Sequence, residues 1–426
     1  MLDPEKPIRN GPPRVQEPER HQNAMRMGSL DDLLPIEHQA RVVWEYVARL
    51  DLSRLYESVK AGGSLGGRSA LSPRALLSLW LYAVLDGVGS ARHLSELCVE
   101  HIAYQWLCGG LEPNAHSLSD FRVKHEELLD RLLTESVARL RHAGLVTMEL
   151  VAQDGMRVRA SAGADSFHRI ETLEVMRLEA QQQMAALKAE AARDPSASRT
   201  RKQAAQERGA RERLERIEAA LSVAEAEAGK GEKPREKIRA SSTDPQARVM
   251  KMPDGGFRPA YNVQFATDAG SQVIVGVDAV NTGSDQGQAS RMCEQLDERH
   301  AMQPETLLID GGFTALAEID RLDAAGITAV GPVPKPKDSK RDRYSPLPDD
   351  STAVAAWRVR MGQDATKILY HLRAATAECV NAIARNRGLR QFTVRGTAAV
   401  RTVATWYALA HNVMRMAVLM PMHATA

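Results

Sequence analysis

The sequence predicts an all-helical front, then an α/β mixed sheet with flanking helices, interrupted by a long helical hairpin. Three observations carry this reading. Between about residues 31 and 144 the apolar residues recur at helical spacing. From Val146 onward, short β-type runs alternate with helical ones. Between the first two β-type segments, residues 167–230 are dominated by Ala, Glu, Gln, Arg, Lys and Leu, the composition of long solvent-rich helices. A chain of 426 residues also exceeds what one compact core usually holds. The expected division is a disordered segment over 1–27, a helical unit over 28–145, a sheet unit from 146–166 and 238–426, and an insertion over 167–237.

The elements follow in order. The Pro-, Arg-, Glu- and Gln-rich start, through Met27, reads as disordered. Ser72 and Pro73 open a helix, Ser72 as N-cap and Pro73 in the first turn, where a missing N–H costs nothing. Leu76, Leu77, Leu79, Trp80, Ala83 and Val84 follow at helical spacing, and Gly87-Val88-Gly89-Ser90 breaks the run. A second helix carries Leu94, Leu97 and Cys98. Ser117 and Ser119 are placed to cap a helix that holds Phe121, Leu128, Leu129, Leu132 and Leu133.

Strands are expected at 147–153, 261–267, 273–280, 306–309 and 327–330, and helices at 286–300, 315–325, 364–385 and 398–418. Asp268-Ala269-Gly270-Ser271 is short enough to make an antiparallel hairpin of the second and third strands. In the insertion, Asp194-Pro195 divides two arms. Their thin seam is Leu173, Met176 and Leu187 against Leu214, Ile217 and Leu221. Such a hairpin serves as a solvated strut, or as a contact for a second copy or for DNA.

Bulk properties narrow the class. The net charge is only +2, so a nucleic-acid partner has to be argued from local charge. Cys98, Cys108, Cys293 and Cys379 have neither Cys-x-x-Cys nor zinc spacing and read as reduced thiols of a cytoplasmic protein. No apolar run reaches the ~18–20 residues of a membrane span, and the start lacks the pattern of a signal peptide.

Three acidic residues stand out. Asp154 ends one β-type run, Asp310 ends another before Gly311-Gly312, and Glu378 lies in a helix with Tyr370, Arg373 and Arg385. Two strand-end aspartates and a helical glutamate can hold a pair of Mg2+ ions roughly 3.5–4 Å apart and drive phosphodiester chemistry. Taken singly, each Asp-Gly is a common turn. Local charge supports the sharper reading. Between Trp357 and Arg415 lie Arg358, Arg360, Lys367, Arg373, Arg385, Arg387, Arg390, Arg395, Arg401 and Arg415, against only Asp364 and Glu378. A stretch this basic would guide a polyanion to the carboxylates. Residues 335–343 form a second basic segment, readable as a mobile loop over phosphates or as a solvated one.

These residues resemble the bacterial insertion-sequence transposases of the DDE class, in the branch whose third motif reads Tyr-x-x-Arg…Glu…Lys. Gln153-Asp154-Gly155-Met156-Arg157-Val158-Arg159-Ala160 is similar to the first motif, Leu308-Ile309-Asp310-Gly311-Gly312-Phe313 to the second, and Tyr370, Arg373 and Glu378 to the third. Arg239 to Asp244, Ala260 to Gln264, Leu389 to Gly396 and His411-Asn412 resemble the stretches around them. Ser90-Ala91-Arg92 and Ser119-Asp120-Phe121-Arg122 resemble the N-terminal domain. Arg385 stands where that family usually has lysine, which keeps the charge but changes the geometry.

The resemblance implies a ribonuclease H-like core and Mg2+- (or Mn2+-) dependent strand cleavage and strand transfer at terminal inverted repeats. Asp154, Asp310 and Glu378 would be catalytic metal ligands, and Tyr370, Arg373, Arg385, Arg390, Arg395 and Arg157 would contact DNA phosphates. Double-stranded DNA would be the partner, with a homodimer or higher oligomer formed on it at the nucleoid. A DNA-binding descendant without catalysis, or a nuclease on the same core, are the alternatives.

Overall fold

The computed structural model describes residues 28–57, 59, 70–193, 201–232, 234–336 and 340–420. The expected disordered start, and the dividing Asp194-Pro195, lie outside them.

Among these residues the front is helical: α1 (Gln39–Ala48), α2 (Ser53–Glu57), α3 (Pro73–Leu85), α4 (Ala91–Glu100), α5 (Ile102–Cys108), α6 (Ala115–Lys124) and α7 (Glu126–His142). Ser72 Oγ accepts from Ala75 N, and Pro73 occupies the first turn of α3, as expected. The expected serine caps are not used. Asn114 caps α6 by accepting from Ser117 N at 2.9 Å, and His125 separates α6 from α7. An asparagine in extended conformation ahead of the turn outcompetes serines already inside the helix.

The chain continues through β1 (Leu150–Arg159), β2 (Phe167–Arg169), α8 (Ile170–Arg193), α9 (Arg201–Gly229), β3 (Arg239–Ser241), β4 (Arg248–Lys251), β5 (Phe257–Asp268) and β6 (Ile274–Val280). Then come α10 (Gln288–His300), β7 (Thr306–Leu308), α11 (Leu316–Ala324), β8 (Thr328–Val330), α12 (Thr352–Gly362), α13 (Asp364–Arg373), α14 (Cys379–Asn386) and α15 (Thr397–Leu419).

The main sheet is mixed and curled. β5 pairs antiparallel with β1 along its length, from Arg159↔Ala260 to Val151↔Asp268. Its other edge takes β4 over the first half and β6 over the second. β7 runs parallel to β1 and β8 parallel to β7. The hairpin of β5 and β6 is the one expected, tied by Asp268, whose Oδ2 accepts Ser271 N and whose Oδ1 accepts Met148 N. β6 and most of β5 are buried on both faces; β6 is correspondingly almost wholly apolar, whereas β5 buries Asn262 and Gln264, which hydrogen-bond Asp285. β2, β3, β4 and α12 were not anticipated. The three strands have only three or four residues each, too few for a periodic signal.

The front helices are not separate from the sheet. One hydrophobic cluster joins α3 and α5 to Met156, Val158, Tyr261, Val263 and Phe265 of the sheet and to α15. Arg122, buried under the Trp80 ring, donates to Gly89 O at 2.6 Å and Thr393 Oγ1 at 2.8 Å, while Trp406 Nε1 donates to Arg122 O at 2.9 Å. α15 is fastened to edge strand β6 by Asn412, which accepts from Ile274 N at 2.9 Å and donates to Ile274 O at 2.8 Å.

The insertion is the expected two-helix hairpin. Ile170, Leu173 and Ala180 of α8 pack on Ile217, Ala220, Leu221 and Ala224 of α9, and β2 pairs β3 at its base. All four cysteines are free thiols. Among the described residues no helix is long and apolar enough to cross a membrane.

Candidate active site

Asp154 sits inside β1, paired with Phe265, rather than at the strand's end. β1 runs on to Arg159 because Met156 and Val158 continue the buried alternation and β5 is long enough to pair them. What does end there is β7, which stops at Leu308, so the β7-side edge of β1 is left uncovered beside Asp154. Asp310 stands two residues past the end of β7, and its Oδ1 accepts from Gly312 N at 2.8 Å.

The helix that brings Glu378 is not regular. Between α13 and α14, Ala374–Glu378 forms a π-helical turn. In an α-helix residues five apart point about 140° away from each other. A π-turn, whose hydrogen bonds join residues five apart, puts them on one side. Here it sets Arg373 onto Glu378 at 2.5 Å. The carbonyls of the widened turn find other donors: Thr376 Oγ1 donates to Leu372 O at 2.8 Å, and Gln272 Nε2 in the β5–β6 turn donates to Ala375 O at 3.0 Å. The sequence pattern predicted one helix over 364–385 and could not show this register change.

Arg373 therefore stands between two carboxylates. Its guanidinium meets Glu378 at one end and Asp154 Oδ1 at 3.5 Å at the other, and lies over the Tyr370 ring. Asn381, one turn beyond Glu378, donates from Nδ2 to Asp154 Oδ2 at 2.9 Å. Gly155 N donates to Asp154 Oδ1 at 3.0 Å.

The electrostatics follow from this burial. Burial pushes the Asp154 carboxyl up to about 6, with the charge of Asp310 adding to the rise. Arg373, Asn381 and Gly155 N oppose it incompletely. Burial also works against the Arg373 cation, yet Asp154, Tyr370 and Glu378 hold its pKa above the ordinary value.

Not every expected residue joins this group. Arg157 points to the opposite face of the sheet, where it donates to Gly283 O at 2.7 Å and lies 3.7 Å from Asp285. Arg385, Arg390 and Arg395 gather toward the far end of β1. Arg390 Nε donates to Arg385 O, Arg390 O accepts from Arg159 N, and Arg395 Nε donates to Ser161 O. Arg159 lies about 17 Å along the strand from Asp154. Other members of the basic stretch are engaged internally, two of them by carboxylates. Arg358 pairs with Asp350 at 2.7 Å, Arg401 with Asp278 at 2.9 Å, and Arg415 donates to Ser271 O. The 335–343 segment is only partly described, positions 337–339 lying outside.

Two contributors were missed. Asn381 shares a helix face with Glu378, a spacing the sequence does contain. Asp285, in the turn before α10, accepts from Asn262 Nδ2 at 2.7 Å and Gln264 Nε2 at 2.8 Å, and carried no sequence signal.

Among the described residues no three acidic, histidine or cysteine side chains stand close enough to hold a metal as they are. The expected convergence on one point is therefore absent from this arrangement, because Arg373 stands between Asp154 and Glu378. The residues nonetheless suit a hard cation. A cationic group already bridges two of the carboxylates, and the buried Asn381 Oδ1 beside Asp154 has no hydrogen-bond partner among the described residues.

Two family models match the chain: a Transposase domain (DUF772) over residues 28–124 and a Transposase DDE domain over residues 231–413. Together they take in about two thirds of its length, and the second includes Asp310, Arg373 and Glu378. No curated protein and no solved structure matches it. With an acidic group set beside an arginine-bearing helix, and with both transposase domains matched in order, the chain belongs to the insertion-sequence DDE transposases, enzymes whose substrate is DNA.

Proposed function

We propose that this transposase cleaves and rejoins DNA strands at the terminal inverted repeats of its insertion sequence. Asp154, Asp310 and Glu378 would hold Mg2+ (or Mn2+) on a ribonuclease H-like core. The observation that carries the reading is the single guanidinium, Arg373, joining Asp154 to Glu378 with Asp310 beside them. The strand sequence β6, β5, β1, β7, β8, antiparallel over the first three and parallel over the last, supports the core assignment.

When bound, the divalent ions neutralise phosphate charge and lower the pKa of an attacking water or hydroxyl. The chain's own groups do the rest. Asp154 is held rigidly because β5 pairs it on one side and Asn381 fixes its Oδ2. In the metal-free protein it holds a proton below about pH 6, which it releases when a cation arrives. Arg373, freed from the carboxylates, offers a planar fork to a phosphate within reach of the same helix. Arg159, Arg385, Arg390 and Arg395 continue a cationic path away from the carboxylates along β1. The front helices would hold the repeat, and two copies of the enzyme would pair the two ends of the element.

The test uses the full-length chain and a duplex carrying the element's end, with and without Mg2+. Asp154→Asn, Asp310→Asn and Glu378→Gln are each expected to lower cleavage by about a thousandfold or more, while gel-shift binding stays within a few-fold. Cleavage by Asp310→Asn at the parent rate would overturn the assignment of that residue.

A further inference from the structure

Asp285 lies in the turn between β6 and α10 and is nearly buried. Its Oδ1 is clamped by two amides of β5, Asn262 and Gln264. That oxygen rests directly on Gly155, the neighbour of Asp154. A side chain at 155 would overlap Asp285 Oδ1 and stand 2.6 Å from Gln264 Nε2. The other oxygen, Oδ2, faces the Asp310 turn. A Cβ at Gly312 would lie 3.2 Å from Asp285 Oδ2 and 3.0 Å from Asp310 Oδ1, so the two carboxylates flank this glycine. A second observation marks the same spot. Asn262 Oδ1, fully buried and without a hydrogen-bond partner among the described residues, would be 2.9 Å from a Cβ at Gly155.

We infer that Asp285, on the face of β1 opposite Asp154, is an acidic positioning residue for this site. Locked by Asn262 and Gln264, its carboxylate seats the Asp154-Gly155 and Asp310-Gly312 backbones and places a negative charge behind Asp310 that tightens the hold on a divalent cation. The inference rests on the reading of Asp154 and Asp310 as ligands given above. Outer groups that orient and charge a ligand set commonly change metal affinity 10- to 100-fold when altered. Arg157, 3.7 Å from Asp285 Oδ2, partly neutralises that charge and sets its strength.

Asp285→Asn in the full chain tests this, because the amide keeps the volume and an oxygen acceptor for both clamps while removing the charge and turning the Oδ2 position into a donor. The Mg2+ concentration for half-maximal cleavage is expected to rise about tenfold or more, and calorimetric Mn2+ binding to the DNA-free protein to weaken by a similar factor. The rate at saturating Mg2+ should stay within a few-fold. A merely structural residue would instead lower the saturated rate or the thermal midpoint and leave the Mg2+ dependence unmoved, and that result overturns the inference. If Asp285→Asn does not fold, Arg157→Gln decides. It leaves the charge of Asp285 less neutralised and should move half-saturation to lower Mg2+; no movement, or movement upward, counts against the proposal. Parent-rate cleavage by Asp154→Asn and Asp310→Asn would reject the underlying site instead.

Discussion

Arg373 and Glu378, five residues apart, form an ion pair at 2.5 Å across a π-helical turn, and the same guanidinium reaches Asp154 on β1 at 3.5 Å. One cation thus satisfies two carboxylates that the proposed reaction assigns to the metal. Arginine can occupy this position in the absence of DNA because its fork serves two partners at once.

Removing that cation should expose the competition. Arg373→Gln is expected to tighten Mn2+ binding to the DNA-free protein by about tenfold or more, each factor of ten being worth 1.4 kcal/mol. The same variant should cleave DNA poorly if Arg373 holds a phosphate as proposed. Calorimetric titration checks this, and unchanged or weaker Mn2+ affinity would show that Arg373 does not compete for the site.

The raised pKa of Asp154 has a signed effect on stability. The folded value, about 6, lies above the ordinary 3.8, so between those values the native state binds more protons than the unfolded chain. Stability associated with this group is present below about pH 4 and is lost as pH rises through 6. Asp154→Asn should therefore be more stable than the parent at pH 7 without metal, by roughly 2–3 kcal/mol, with the gap closing toward pH 4. Urea unfolding at several pH values measures it; a gap independent of pH would refute the assignment.

Acid stability has a second source with the opposite sign. His300 and His411 are both lowered to about 4 by burial, each with Nε2 against a backbone carbonyl, Val275 O and Gln272 O. Their contribution is present above about pH 6.5 and lost as pH falls toward 4, since the unfolded chain takes up protons first. Replacing His411 with Gln should flatten that limb of the stability profile, as followed by thermal unfolding between pH 4 and 7.

Asn412 makes both of its hydrogen bonds to the backbone of one residue, Ile274, on an edge strand. Asn412→Leu would strand a buried N–H and a buried C=O together. A loss of about 2–5 kcal/mol is expected, read as a lower denaturant midpoint with little change in slope. A loss below about 1 kcal/mol would show that water or neighbouring groups replace the clamp.

Much of the site's local setting was legible before the fold. The apolar run before Asp310 identified β7, and the helical spacing around Glu378 identified the helices on either side of it though not the π-helical turn that holds it, because burial periodicity is a local property. The position of Asp154 was read less well: the run before it was seen, but the strand continues five residues further on the strength of its pairing with β5. Arg157 was read as a phosphate contact from its place in a motif, yet the two-residue period of β1 turns it to the other face, toward Asp285.

By itself the sequence determined the longer strands and most helices of the sheet unit (but not β2, β3, β4 or α12), where the turn of β5 and β6 falls, and which three acids stand out. All of these depend on neighbours within a few positions. Only the tertiary structure decided who partners whom: Arg373 with Asp154, Asn381 with Asp154, Asp285 with Asn262 and Gln264. Those pairs are separated by 21 to 227 residues. Each forms because sheet register and one extra residue in a helical turn bring the groups within a few ångströms, at which range a buried charge binds its nearest partner in place of water.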